Sequence, residues 1–235
     1  MNKTGISWTD LTWNPVSGCS KVSPGCQNCY AEAWSRRWKR TFDVQLHPEK
    51  LKEARKIPSG SKVFVNSMSD LFHESIAFPD IHAIFNEIRN RGDVIFQILT
   101  KRPIRAYQYV EMYRSLPYNC WLGVSVENSM YKDRIETLRR INVVNRFISF
   151  EPLIGDIGMI DLSGINWIII GGESGPHHRP MKVEWAQNLV KQAKAQGVAA
   201  WMKQMGGSRP GGELKDFPED LRIREFPHYE LGGTP

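Results

Sequence analysis

The segment Trp167-Ile168-Ile169-Ile170-Gly171-Gly172-Glu173-Ser174-Gly175 decides the fold class of this 235-residue chain. Its first four residues are continuously apolar, as in a strand that is buried on both faces of a parallel sheet. Glycines and a charged residue follow these four residues directly, which is typical of a strand that ends at a turn. Similar short runs, each predicted to be a strand, occupy residues 6–13, 63–66, 94–99, 120–126, 146–150 and 199–203.

Segments with helical spacing separate these runs. Apolar residues recur at i, i+3, i+4 and i+7 within residues 79–91, which predicts an amphipathic helix. Residues 133–140 and 183–196 show similar spacing, and Gly197 follows the second as a C-cap. The alternation predicts an α/β fold, a complete or partial (β/α) TIM-type barrel with parallel strands. A doubly wound open sheet is the main alternative.

Length and composition indicate one globular domain. Hydrophobic residues make up 41% of the chain and charged residues 24%, which argues against disorder. We predict a barrel domain over residues 1–205 and an irregular C-terminal extension over residues 206–235. No apolar run reaches the roughly 18 residues of a membrane helix, and no signal peptide precedes the domain, so we expect a cytoplasmic protein without membrane contact. The net charge of +6 permits a nucleic-acid partner without requiring one.

Polar side chains follow the predicted strands. Because parallel β/α folds place their active sites at the carboxyl ends of the strands, we expect these polar segments to surround one mouth. They are Ser67-Met68-Ser69-Asp70, Thr100-Lys101-Arg102-Pro103, Ser125-Val126-Glu127-Asn128, Glu151-Pro152-Leu153, Gly171-Gly172-Glu173 and Lys203-Gln204.

Three of the four cysteines lie within eleven residues, as Cys19, Cys26 and Cys29. Clustered cysteines in a cytoplasmic chain indicate a metal rather than a disulfide framework. A closed structural zinc site would need a fourth ligand, whereas three cysteines on a 4Fe–4S cluster leave one iron open. Both interpretations stay open on spacing alone. Cys120 heads an apolar run and is predicted to be a buried core thiol.

The segment from Asn14 to Glu32, which holds the three cysteines, resembles the cluster loop of radical S-adenosylmethionine (SAM) enzymes, especially those similar to spore photoproduct lyase. Nearly the whole chain also resembles a phage-associated three-Cys-motif family of unknown function. The residues that carry this second resemblance are Ile6-Ser7-Trp8-Thr9-Asp10, Thr12-Trp13-Asn14-Pro15, Ser67-Met68-Ser69-Asp70, Leu99-Thr100-Lys101-Arg102-Pro103, Trp121–Asn128, Glu151-Pro152-Leu153 and Gly171–Gly175.

The resemblance implies a radical-SAM enzyme on a β/α barrel. Cys19, Cys26 and Cys29 would hold a 4Fe–4S cluster, and SAM would bind its open iron. Reductive cleavage of SAM would give a 5′-deoxyadenosyl radical that acts on a nucleic-acid or nucleotide substrate, with a partner protein as a further possibility.

The remaining candidate site residues fall into three groups. Candidates for proton transfer or for orienting SAM are Glu127, Glu151 and Lys101. Alternatively, Glu127 and Glu151 pair with Arg102 or Lys101 as a buried ionic layer of the barrel. Candidates for binding SAM are Ser67, Ser69, Asp70, Ser125, Gly171, Gly172 and Glu173. Candidates for binding phosphate are Arg102, Arg105, Arg179 and Lys203.

Several alternatives remain open. Ser67, Ser69 and Asp70 equally suit an N-cap for the next helix. A non-catalytic nucleic-acid-binding phage protein stabilised by zinc or a structural cluster is the second hypothesis. A metal-dependent hydrolase that uses Asp70, Glu127, Glu151 and Glu173 is the third. The helix after the cysteines contains Trp34 and Trp38 and four nearby cations. We predict a solvated helix that packs through its tryptophans, and a nucleic-acid surface is the second interpretation.

Overall fold

Ten short strands and five α-helices occupy residues 2–209 and 217–229, the part of the chain that this computed structural model describes. The strands are β1 (Asn2–Lys3), β2 (Leu11–Trp13), β3 (Val16–Ser17), β4 (Gln45–Leu46), β5 (Lys62–Val65), β6 (Ile95–Thr100), β7 (Cys120–Ser125), β8 (Asn145–Phe150), β9 (Trp167–Gly171) and β10 (Ala199–Gln204). The helices are α1 (Tyr30–Arg37), α2 (Phe78–Arg89), α3 (Pro103–Tyr113), α4 (Asp133–Arg139) and α5 (Val183–Ala195).

The main sheet is a curled half-barrel of seven parallel strands in chain order, β2-β5-β6-β7-β8-β9-β10. β1 adds to one edge, antiparallel to β2, and β3 pairs with β4 in a separate ribbon. The partial barrel is therefore confirmed. The doubly wound alternative is wrong, because the strand order of such a sheet reverses at a switch point and this order does not.

The predicted elements match closely, with one exception at the first strand. Residues 6–10 form a loop before the short β2, although a strand was expected over residues 6–13. In this loop the Asp10 carboxylate accepts a 2.7 Å hydrogen bond from the Lys62 backbone, and the Thr9 hydroxyl donates to the Lys62 carbonyl. These side-chain bonds replace a strand ladder. The helix predicted over residues 183–196 is confirmed as α5, with Gly197 at a φ of +67°.

Two hydrophobic cores lie on opposite faces of the sheet. The larger one packs the sheet against the helices and includes Cys120, which is fully buried and confirmed as a core thiol. The smaller one lies inside the curl and is largely aromatic, with rings in edge and tilted contacts. Its buried members are Trp8, Phe64, Ile95, Trp121, Phe147, Trp167, Ile169 and Trp201. Trp121, Trp167 and Trp201 stand near the amino ends of their strands, so this aromatic plug closes the end of the curl opposite the predicted mouth.

Residues 217–229 pack against the sheet. Phe217, Leu221 and Ile223 are buried in the larger core. The Met202 and Glu225 backbones donate hydrogen bonds to the carbonyls of Ile223 and Ala200, so this segment runs along the outer edge of β10. Residues 210–216 and 230–235 of the predicted extension lie outside the described residues, and the division at residue 206 stays a prediction.

No helix in the described part of the chain is both long and apolar enough to cross a membrane.

Candidate functional site

The cysteine loop, residues 18–29, crosses the carboxyl ends of the parallel strands before it enters α1. Its first residue pairs with the segment after β5, where the Gly18 backbone donates a 3.2 Å hydrogen bond to the Met68 carbonyl. Cys19, Cys26 and Cys29 are all free thiols that are neither fully buried nor fully exposed. The loop therefore lies at the mouth of the curl, where its thiols remain accessible.

Arg102, at the carboxyl end of β6, holds the start of this loop. Its guanidinium lies 3.5 Å from the Cys19 sulfur, donates to the Ser20 hydroxyl at 2.9 Å, and pairs with Asp70 at 3.2 Å. The Arg102 side chain is only 4% exposed. Burial raises the pKa of the Cys19 thiol and Asp70 adds to that rise, while Arg102 opposes it. A buried cation thus faces the first cysteine.

Glu127, at the carboxyl end of β7, holds the middle of the loop. Its fully buried carboxylate accepts a 2.6 Å hydrogen bond from the Ser23 hydroxyl and a 2.9 Å bond from Arg134. Lys101 lies 3.6 Å away on the same carboxylate. A Cβ added at Gly25 would overlap the Glu127 side chain, so the loop backbone rests directly on this carboxylate.

Glu173, after β9, holds the end of the loop. It accepts a 2.9 Å hydrogen bond from the Asn28 amide and bonds from both the backbone and the guanidinium of Arg179. Burial alone would raise the pKa of Glu173, but the hydrogen bonds from Arg179 and Asn28 outweigh it, and the pKa lies below its ordinary value. Arg179 also donates to the Pro24 carbonyl at 2.9 Å, which ties a second point of the loop to β9.

Glu151 follows β8 and Lys203 lies on β10, so their side chains meet across β9 at the mouth. They form an ion pair in which both side chains are about one-fifth exposed. A Cβ at Gly171, on the strand between them, would stand 3.2 Å from the Glu151 carboxyl carbon. At Gly172 a Cβ would overlap the Gly206 backbone, so this glycine permits a close approach of two chain segments.

The predicted SAM-binding serines surround the same mouth. The Ser67 hydroxyl donates to the Asn14 side chain at 3.2 Å, and the Ser69 hydroxyl donates to the Val16 carbonyl at 2.9 Å. Ser125 is buried, and its carbonyl accepts a bond from Arg134. The N-cap alternative for Ser67, Ser69 and Asp70 is wrong, because α2 begins at Phe78 with Ala77 as its N-cap.

The four predicted phosphate-binding cations are all engaged within the protein. Arg102, Arg179 and Lys203 pair with Asp70, Glu173 and Glu151 as described. Arg105 lies on α3, where it donates to the Ile76 carbonyl and stands 4.6 Å from the centre of the Phe78 ring. The structure thus brings three of these cations to the mouth and leaves the fourth on the outer face.

Trp34 in helix α1 and Trp38 at its C-cap lie on the outside of the molecule, so the prediction that the helix packs through them is wrong. Trp34 and Trp38 are 59% and 62% exposed, whereas Ala31 is the buried residue of the helix. The indole spacing of i, i+4 predicted a buried stripe because aromatic side chains are usually inside. The small side chain of Ala31 makes the contact instead.

The thiol donor set agrees with a soft metal or an iron–sulfur cluster, since thiolates prefer such partners. No three His, Cys, Asp or Glu side chains within residues 2–209 and 217–229 converge as a metal-holding group. The fit therefore rests on donor chemistry and on the anchoring of the loop. The sequence analysis did not identify the anchoring residues Ser23, Asn28 and Arg134. The polar side chains of the loop could have indicated the first two, because a loop over polar strand ends needs hydrogen-bond partners.

Together these features define an α/β half-barrel with a thiol-bearing loop clamped over its carboxyl edge. The profile of the family described as "Protein of unknown function (DUF5131)" matches residues 3–220, and the chain belongs to that family. Among solved structures it is similar to "Spore photoproduct lyase complexed with dinucleoside spore photoproduct", with a TM-score of 0.48 and 10% sequence identity. That similarity covers 82% of this chain and 63% of the other, so this chain spans less than two thirds of it. No curated protein sequence matches the chain.

Proposed function

We propose that this protein is a radical-SAM-like iron–sulfur enzyme that acts on a nucleic acid or nucleotide. One observation carries the proposal: a loop with three free thiols is clamped to the carboxyl edge of a parallel half-barrel by three buried charged side chains. Those side chains are Arg102, Glu127 and Glu173. Rigid anchoring of a soft donor set at the edge where β/α folds place their active sites favours a bound cofactor over a structural turn.

Cys19, Cys26 and Cys29 would hold a 4Fe–4S cluster, which leaves one iron open for SAM. A bound 4Fe–4S cluster would supply the chemistry of one-electron reductive cleavage of SAM and of hydrogen abstraction from the substrate. Asp70 and Arg102 form a buried ion pair behind Cys19 and keep the first ligand in place.

The remaining roles follow from burial. Glu127 is fully buried and bonded to Arg134 and Ser23, so it acts as a positioning residue for the loop. Glu151 and Lys203 remain partly exposed at the mouth, where they are suited to hold or move a proton. Ser67 and Ser69 are partly exposed on the same rim and are the proposed contacts to SAM, whereas the buried Glu173 holds the loop. The aromatic plug closes the far end of the curl and excludes water from behind the reacting atoms.

The test is an anaerobic preparation. We expect iron and sulfide at cluster stoichiometry, and 5′-deoxyadenosine after addition of SAM and dithionite. Cys26→Ala should abolish both, whereas Cys120→Ala, which removes the thiol of the outer core, should retain both. Colourless protein with stoichiometric zinc after anaerobic reconstitution with iron and sulfide would refute the proposal and favour the zinc-stabilised binding protein.

The cellular setting is part of the same proposal. A reducing compartment suits three free thiols on an accessible loop, and we propose a cytoplasmic location for that reason. The phage association and a partner protein remain predictions.

A further inference from the structure

Helix α1 and its C-cap residue Trp38 present an aromatic stripe to solvent beside the cysteine loop. Tyr30, Trp34 and Trp38 stand at i, i+4 and i+8 and are 46%, 59% and 62% exposed. Residues at this spacing share one helix face, so the three rings lie along the same side, and the two indoles are in ring contact. Tryptophan is rarely so exposed on a free surface, and contiguous exposed apolar patches usually mark an interaction site.

The two indoles are tilted against each other rather than stacked flat. Their centroids are 6.5 Å apart and the rings are tilted by 47°, so neither ring is stacked flat on the other. At the start of the stripe, the Tyr30 hydroxyl donates a hydrogen bond to the Ser67 carbonyl at the mouth. The stripe therefore runs from the edge of the mouth outward along α1.

Cations surround the stripe. Arg37, Lys39 and Arg40 are exposed, and no carboxylate of the described residues forms an ion pair with them. Arg36 does pair with Glu32, which also lies 3.2 Å from Lys21. Unlike the cations at the mouth, the first three are free to meet a partner's negative charge.

We propose that α1 and the turn after it bind single-stranded nucleic acid. Bases would stack on Trp34 and Trp38, and backbone phosphates would pair with Arg37, Lys39 and Arg40. Aromatic faces interleaved with unpaired cations are the features that such binding uses. A membrane surface fits less well, because an interfacial helix needs a wide apolar face and α1 offers one narrow stripe over eight residues.

The position of α1 links this surface to the proposed enzyme. The helix begins directly after Cys29, and a rise of about 1.5 Å per residue places Trp38 about 14 Å along the axis from that cysteine. A strand of stacked bases rises about 3.4 Å along its axis per nucleotide, so roughly four stacked nucleotides cover this length. The assignment of the stripe as a substrate-binding surface rests on the proposed function. The binding of nucleic acid to it does not require an iron–sulfur cluster.

The test measures fluorescence anisotropy of a labelled single-stranded 12-mer DNA of mixed sequence with the full chain. Trp34→Ala/Trp38→Ala should weaken binding about thirtyfold or more, because the stacking of two bases is lost. The matched control is Met130→Ala/Met159→Ala, which removes two side chains that are 79% and 77% exposed elsewhere, and it should leave the affinity unchanged. Circular dichroism and thermal melting check that each variant is folded.

The charge contribution is tested by salt dependence. With three phosphate contacts the slope of log K against log salt should be about −2 for a single strand, and Arg37→Gln/Lys39→Gln/Arg40→Gln should flatten it. Lys52→Gln/Lys191→Gln/Lys194→Gln removes the same charge from other exposed positions and should keep the slope.

Equal DNA affinity for the wild type and the tryptophan variant would overturn the inference. So would an absence of DNA binding together with indole-dependent binding to anionic vesicles or self-association in sedimentation. The two proposals fail separately. If no 5′-deoxyadenosine forms but the tryptophan variant loses DNA affinity, the proposed enzyme activity is refuted and the proposed nucleic-acid-binding surface is supported.

Discussion

Replacement of Glu127 by glutamine tests whether the cysteine loop is held by a buried charge. The carboxylate is fully buried and faces Arg134 at 2.9 Å and Lys101 at 3.6 Å, with both cations largely buried too. The amide keeps the shape and removes the charge, so both cations lose their buried anion. Breaking a buried ion pair in this way costs about 3–5 kcal/mol. At about 2–4 °C per kcal/mol for a chain of this size, the melting temperature should fall by about 6–20 °C.

The assay is urea unfolding followed by tryptophan fluorescence, with the thermal melt as a second measurement. Glu136→Gln is the matched control, because its carboxylate is 68% exposed and pairs with Arg139 on the surface of α4. That pair should contribute less than about 1 kcal/mol. If the free energies of unfolding of Glu127→Gln and Glu136→Gln agree within about 1 kcal/mol, the buried-charge account of the loop is wrong.

Two further predictions concern the β9 side of the mouth. Gly172→Ala should destabilise the fold by about 1–3 kcal/mol, because its Cβ would overlap the Gly206 backbone, whereas Gly5→Ala, with no atom within 4 Å, should stay within about 0.5 kcal/mol in the same melts. Because the pKa of Glu173 is lowered in the fold, its carboxylate contributes stability above its ordinary value of 4.5, and this contribution is lost as the pH falls through the lowered pKa. The stability difference between the wild type and Glu173→Gln should therefore be constant from pH 7 to about 5 and shrink below that; a difference that does not change down to pH 2 would contradict the assignment.

Continuous apolar runs were sufficient to predict the strands and their parallel arrangement. The run 94–99 predicted β6 at Ile95–Thr100, and the run 167–170 predicted β9 at Trp167–Gly171. Such runs follow from burial on both faces, which is a local property of the sequence. The first strand was overestimated, because the side-chain bonds of Thr9 and Asp10 to Lys62 join positions more than fifty residues apart.

The location of the site was predictable, but its internal pairing was not. Polar strand ends and clustered cysteines lie together because the carboxyl ends of parallel strands share one edge. The clamp between Ser23 and Glu127 spans 104 residues, and no spacing rule connects them. The exposure of Trp34 and Trp38 could not be predicted from the sequence either, because tryptophan is usually buried and residue type was the available guide.

A half-barrel leaves two strand edges open, and such edges can recruit strands from other chains. At one edge, residues 222–225 lie along β10 and occupy the backbone groups of Ala200 and Met202. At the other edge, β1 is only two residues long and offers little template for pairing. Residues 217–229 therefore cover this edge, and a chain that lacks them should show a greater tendency to aggregate through β10.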